Sequence, residues 1–215
     1  MANDSTTGFG FRTSMTLGNT PATSGQSEYK IKSGLGVGIF QNNPVSLQDS
    51  SGDQGYLQDA SFATTDDTGT GGASYTNASH ALMVGVFNGA FYIDNSTSKP
   101  TFANSVAAST TFGTDYNTGS NDGIGFVNDN PQQEYVRKAD AAVAQTAIGT
   151  VFNCNNFTAS DAKSGQSTVT LDITSAAETK MFRVVGSANE IGNDDMTAAG
   201  VNVRVAWNSA SNLYQ

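Results

Sequence analysis

Near the end of the chain Val201, Val203, Val205 and Trp207 alternate with Asn202, Arg204 and Ala206. Side chains of an extended strand point alternately to its two faces, so this run has one apolar face and one polar face. The same period of two recurs in shorter stretches: Tyr29 and Ile31, then Leu35, Val37 and Ile39, then Val45 and Leu47, then Val169, Leu171 and Ile173. Met181 to Val185 is apolar apart from Arg183, as a strand buried on both faces is. Helical signals are few. Ala139 to Gly149 is Ala-rich, and Ser175 to Glu178 has the spacing of a capping box. Short alternating runs divided by Gly, Ser, Thr and Asn predict roughly eight or nine strands that must bury one face each against another sheet. The expected fold is all-β. It is an antiparallel β-barrel or jelly-roll-like sandwich with long loops, an extended N-terminal arm and one or two short helical turns.

Two domain-level regions follow from the pattern. Residues 1–27 are small and polar and read as an extended arm, while residues 28–215 read as a single β-rich domain. Phe9, Phe11 and Arg12 interrupt the arm. In an extended segment Phe9 and Phe11 share a side, and two exposed rings must be covered, either by the chain's own body or by a neighbouring subunit. These three residues are the candidate partner-binding group. Asn88-Gly89 lies between two apolar runs and has the residues that a tight hairpin turn demands. A hairpin is therefore expected, with strands near Leu82 to Phe87 and Ala90 to Ile93. Residues 59–79 and 94–123 read as long polar connections.

Residue types that carry catalysis are scarce. The 215 residues include one His (His80), one Cys (Cys154) and one Trp, and charged residues make up 13%. A lone Cys cannot form an internal disulfide, and free Cys is among the most buried residue types. A nucleophile would need a base beside it, and the sequence does not place His80 near Cys154. The segment DYNTGSNDG sets Asp115, Asn117 and Gly119 at alternate positions, as a calcium loop sets its first ligands. It then has Ser120 where the loop needs Gly and Phe126 where it needs Glu. The glycines of residues 69–72 lack the Lys-Ser/Thr and helix of a phosphate cradle. No cofactor, metal site or catalytic set is expected. The formal net charge of −9 repels phosphate backbones and anionic lipid, so neither nucleic acid nor membrane is an expected partner. The N-terminal residues have no basic start and no apolar core of a secretory signal, and synthesis in the cytoplasm is expected.

Several segments in order carry a resemblance. They are the GFGFR arm, SEYKIKSG followed by GIFQNNPV, then GVFNGAFY, FVNDNPQQEY, GQSTVTLDI, MFRVVG and a closing VNVRVAW strand. Together they resemble the capsid decoration (cement) proteins of tailed bacteriophages, often marine ones, over nearly the whole chain. The resemblance implies a structural virion protein, made in the host cytoplasm and added to the outer surface of the assembled head. Its partners would be the major capsid protein and further copies of itself, a trimer being the preferred homo-oligomer. The alternatives are a tail-associated receptor- or glycan-binding module, using Tyr75, Tyr92 and Tyr116, or a hydrolase using Cys154 and His80 or a carboxylate pair.

Overall fold

The computed structural model describes residues 3–4, 7–18, 20–22, 25–48, 53–60, 83–155, 160–161, 163–176 and 180–208. In chain order the strands begin with β1 (Arg12–Thr16), β2 (Thr20–Pro21), β3 (Ser27–Ile31), β4 (Ile39–Phe40) and β5 (Pro44–Leu47). Next come β6 (Leu57–Asp59), β7 (Met83–Ile93), β8 (Pro100–Ala103), β9 (Ser105–Val106) and β10 (Gly123–Asn128). The last are β11 (Gln133–Lys138), β12 (Val151–Asn155), β13 (Thr170–Ala176), β14 (Phe182–Ser187) and β15 (Asn202–Trp207). A single 3-10 turn, Gln145–Ala147, is what the Ala-rich segment forms.

The expected all-β class holds, and every pairing between these strands is antiparallel. Seven strands make one sheet in the order β13-β12-β14-β15-β11-β1-β2. A second sheet runs β3-β10-β7-β5-β6, with β8 beside the second half of β7, and β4 pairs with β9 in a small third sheet. The sheets stack as a sandwich and do not close into a barrel, because short edge strands such as β2 and β6 end them.

Two apolar cores divide the interior. One holds the inward residues of the large sheet, among them Tyr135, Leu171, Phe182, Val203, Val205 and Trp207, together with Met83 and Val86 of β7. The other holds Ile31, Ile39, Leu57, Phe112 and Val127, together with Val84 and Phe87 of β7. Strand β7 is therefore the wall between the cores, and residues 83–87 are buried on both faces. This explains its uninterrupted apolar sequence, which alternation alone does not produce.

Two expectations are corrected here. Asn88-Gly89 is not a hairpin turn. Residues 83–93 are one strand, paired with β10 along one side and with β5 and then β8 along the other. Phe126 faces Gly89 while Val127 faces Phe87, so Asn88 is the additional residue of a β-bulge. Gly89 has φ +149°, and Asn88 points to solvent. The residues that favour a tight turn also favour a bulge, and the pairing partners on both sides decide between them.

The described part of residues 1–27 packs on the chain's own body, one of the two covers expected for its rings. β1 pairs with β11 and β2 with β1, so the segment supplies two strands of the large sheet. Gly10 adopts φ +72°, and a Cβ there would sit 2.5 Å from the Asn42 carbonyl oxygen. That left-handed bend breaks the extended geometry, so Phe9 and Phe11 do not share a side. Phe11 turns inward and is fully buried. Its ring lies 4.3 Å from Phe182 and 5.7 Å, edge-on, from Tyr135. Ser175 and Ala176 belong to β13 rather than to a helical turn, and residues 177–179 lie outside the described residues.

Replacing Phe11 by Ala opens a cavity at the centre of the large core, and the expected loss is about 3–5 kcal/mol of unfolding free energy. Urea denaturation followed by Trp207 fluorescence measures it. Arg12→Ala, at an exposed position in the strand next to the sheet edge, is expected to change stability by less than about 1 kcal/mol.

Candidate interaction surface

Register across the second sheet sets four side chains in one row. Phe102 of β8 faces Phe91 of β7, Phe91 faces Ile124 of β10, and Ile124 faces Lys30 of β3. Directly paired residues lie on the same face of a sheet. Ile93 and Phe126 lie two residues along their strands and join that face. The other face carries Ala90 and Val127, and it covers the second core.

Counting along β10 from Asn128 identifies where the row points. Asn128 shares its face with Phe126 and Ile124, and the Tyr135 hydroxyl, anchored in the large sheet, donates to Asn128. The row is thus a continuation of the face that the large sheet covers further along. The large sheet stops short of it. Phe91, Ile93, Ile124 and Phe126 are half-buried and Phe102 is 75% exposed, its ring 4.8 Å from that of Phe91. An aromatic and aliphatic strip rimmed by Lys30, Glu28 and Asp122 is an apolar face with no layer over it among the described residues.

At one end the strip deepens into a cleft of ≈ 140 Å³. Phe91, Ile93 and Ile124 line its apolar side, and the loop bearing Asp115, Thr118, Ser120 and Asp122 forms its polar lip. This is the segment that begins like a calcium loop. Its carboxylates are engaged within the chain. Asp115 accepts from the Asn117 backbone N–H at 2.9 Å and from the Thr118 hydroxyl at 3.0 Å. Asp122 accepts from Lys30 Nζ at 3.2 Å and from the Tyr56 hydroxyl at 3.2 Å. Hydrogen bonds from Ser120, Lys30 and Tyr56 outweigh its partial burial and hold Asp122 below the usual carboxylate range. No group of three or more His, Cys, Asp or Glu side chains able to hold a metal occurs among the described residues. Tyr116, at the loop tip, is 85% exposed, whereas Tyr92 stacks on Phe112 at 4.6 Å and belongs to the second core. Tyr75 lies outside the described residues.

Of the candidate group Phe9, Phe11 and Arg12, only Arg12 lies in a strand, β1 of the large sheet. Phe11 is core. Phe9 is half-buried, its ring 5.0 Å from the Arg12 guanidinium and 5.9 Å from Lys138 Nζ. Arg12 forms an ion pair with Glu190. The arrangement brings Phe9 and Arg12 together and separates both from Phe11.

Cys154 is buried, and its thiol is pushed up to about 12 by that burial, against the pull of Arg137. It stays protonated at neutral pH and is a core residue rather than a nucleophile. His80 lies outside the described residues. Several aspartates share one structural use. Asp94, Asp161 and Asp195 each cap a turn by accepting from backbone N–H groups two or three residues on. Pattern reading along the sequence did not find the apolar strip, because its members come from three strands far apart in the chain. The available signal was the alternation of Phe91 and Ile93, and of Ile124 and Phe126.

Comparison with family models, with curated proteins and with solved structures finds no match to this chain.

The Asp94 turn joins β7 to β8 and so holds Phe102 beside Phe91. Hydrogen bonds from Ser96 and Thr97 lower the Asp94 carboxyl from 3.8 to about 2. A carboxylate depressed in this way supports the turn fully above its ordinary value, and that support is lost as the pH falls through the depressed one. Amide resonances of Ser96, Thr97 and Phe102 are therefore expected to shift together as the pH falls through about 2, and Asp94→Asn is expected to remove the transition.

Proposed function

We propose that this chain is a non-enzymatic structural protein of a virion, a decoration protein that attaches to the outside of an assembled phage head and holds neighbouring coat subunits together. The observation that carries the reading is the apolar strip of Phe91, Ile93, Phe102, Ile124 and Phe126, which no layer covers among the described residues. A strip of that kind on a rigid sheet is a surface for broad contact with another protein. The ordered similarity of segments to decoration proteins supplies the identity of that protein, the major capsid protein. A net charge of −9 suits an outer surface better than one facing packaged DNA.

The physical logic is mass action. A protein that binds only the assembled lattice stabilises it by its own binding free energy. One strip supplies modest affinity, and self-association into a homo-oligomer, a trimer in this reading, would join several strips and raise their combined hold by avidity. Catalysis plays no part in this mechanism, and the buried, protonated Cys154 counts against the simplest hydrolytic alternative.

A second reading has one observation in its favour. The cleft beside Phe91 and the exposed Tyr116 offer rings and hydroxyl groups on one lip, as a sugar-binding site of a tail-associated module would.

Incubating the purified chain with phage heads that lack it distinguishes the two. A decoration protein is expected to bind in hundreds of copies per head and to raise the temperature at which the heads rupture. Phe102→Ser with Phe91→Ser should weaken that binding by at least tenfold. Phe102 is exposed and Phe91 half-buried, so circular dichroism of the double variant should still report a folded chain. Absence of head binding combined with glycan-array binding lost in Tyr116→Ala would replace the first reading with the second.

A further inference from the structure

Lys138 ends β11 and is 3% exposed. Its Nζ donates to Asn193 Oδ1 at 3.3 Å. The Asp4 backbone N–H donates to that same oxygen at 3.1 Å. Asp4 is held in place on both sides. Its N–H also reaches the Gly192 carbonyl at 2.9 Å, and the preceding Asn3 donates from Nδ2 to the carbonyls of Asp195, Ala198 and Ala199. The Asn193 carboxamide is thus clamped between the end of β11, its own turn and the start of the chain.

These contacts bring an amine against an amide carbonyl carbon. A C=O bond is about 1.23 Å long, so Nζ lies no farther than about 4.5 Å from Asn193 Cγ. The Asp4 N–H on Oδ1 draws electron density from that carbon and would stabilise negative charge on the oxygen once Nζ leaves it to attack, as an oxyanion-hole donor does. The final torsion of an Asn side chain is broad. Small rotation about it moves Nζ from the plane of the carboxamide to a position over the carbon. Burial, aided by Arg12, pulls the Lys138 ammonium below its ordinary range against the opposing fields of Asp4 and Glu190, which raises the share of neutral amine. The Phe9 ring, 5.9 Å from Nζ, closes one side of the site.

We infer that Lys138 and Asn193 join in an intramolecular amide cross-link between the end of β11 and the connection from β14 to β15. The neutral Nζ lone pair attacks Asn193 Cγ and forms the new C–N bond. Asp4, the strongest acidic neighbour of Lys138, takes a proton from Nζ and delivers it to Nδ2. The Cγ–Nδ2 bond then breaks and ammonia leaves. One amide replaces another, so no oxidant or reductant is required. Glu190 is less available for the proton transfer, because its carboxylate already accepts from Asn202 Nδ2 at 2.6 Å and pairs with Arg12. The link closes a covalent loop over residues 138–193 and would act on the unfolded chain as a disulfide does. It is independent of the proposed attachment to a phage head.

Intact-mass measurement of the full chain after purification tests it without any variant. The expected mass is one ammonia below that of the sequence, and a tryptic digest should contain a branched peptide joining Lys138 to Asn193. Lys138→Arg should restore the full mass while circular dichroism reports an unchanged fold. Asp4→Asn, which retains the backbone N–H contact, should leave a measurable unlinked fraction that disappears over time. A full-mass wild-type chain overturns the inference. So does an ammonia loss that persists in Lys138→Arg and yields to hydroxylamine with no branched peptide, because that marks a succinimide at Asn193-Asp194.

Discussion

The large sheet depends on one buried contact, between the ring of Phe11 and the guanidinium of Arg137, 3.8 Å apart. Arg137 is completely buried, and none of its three nitrogens has a hydrogen-bond partner among the described residues. A cation in that state is penalised by several kcal/mol for lost hydration. Burial pulls its pKa down to about 10, against the fields of Cys154 and Asp140, so it remains charged at neutral pH. A desolvated cation over an aromatic face gains about 2 kcal/mol or more, which makes Phe11 the main direct compensation. Phe11 in turn touches Phe182, which lies 4.6 Å from Trp207, and Tyr135 meets Trp207 at 6.0 Å. The N-terminal segment is therefore part of the core that a buried charge requires, and the left-handed bend at Gly10 is what delivers its ring there.

A different constraint acts on the second sheet. β7 must satisfy two cores with one strand, and eleven residues span both. Its first half is enclosed by the large sheet on one side and the second core on the other. Beyond the bulge at Asn88 only one side has a core to cover. The bulge sits at the boundary, where extra twist lets the strand leave the sandwich. What remains is a sheet face whose residues are still chosen for burial but have no layer above them among the described residues. The apolar strip follows from the two sheets being unequal in extent, and it lies where the overlap ends.

The regular strands were legible in the sequence and the exceptions were not, for reasons that differ. Val203, Val205 and Trp207 lie inward as their alternation implies, and β3, β5, β13 and β14 lie close to where period and turn residues set them. Asn88-Gly89 misled because a turn and a bulge ask for the same backbone freedom, and only partners distant in sequence separate them. Leu35 and Val37 alternate with glycine, yet the strand there is confined to Ile39–Phe40, since only those two residues find a pairing partner, in β9. The N-terminal arm was polar by composition, but its fate was decided by Phe11 and by the Asn3 contacts with residues 195–199. Neither is encoded in local pattern. The candidate surface was the least legible of all, because a row across β8, β7, β10 and β3 exists only once the register is fixed.

The acidic character of the chain acquires a structural meaning from the turns. Asp94, Asp115, Asp161, Asp172 and Asp195 all accept hydrogen bonds from a residue two or three positions on, most often Ser or Thr. Such local bonds let a short polar segment turn without a hydrophobic anchor. A chain with little apolar material can then reserve it for two cores and one exposed strip, and close its connections with carboxylates and hydroxyls instead. Aspartates used in this way have a carboxylate oxygen held at the turn and their charge facing solvent. The same economy that gives the loops their stability gives the surface its negative field, and the apolar strip stands out against that field.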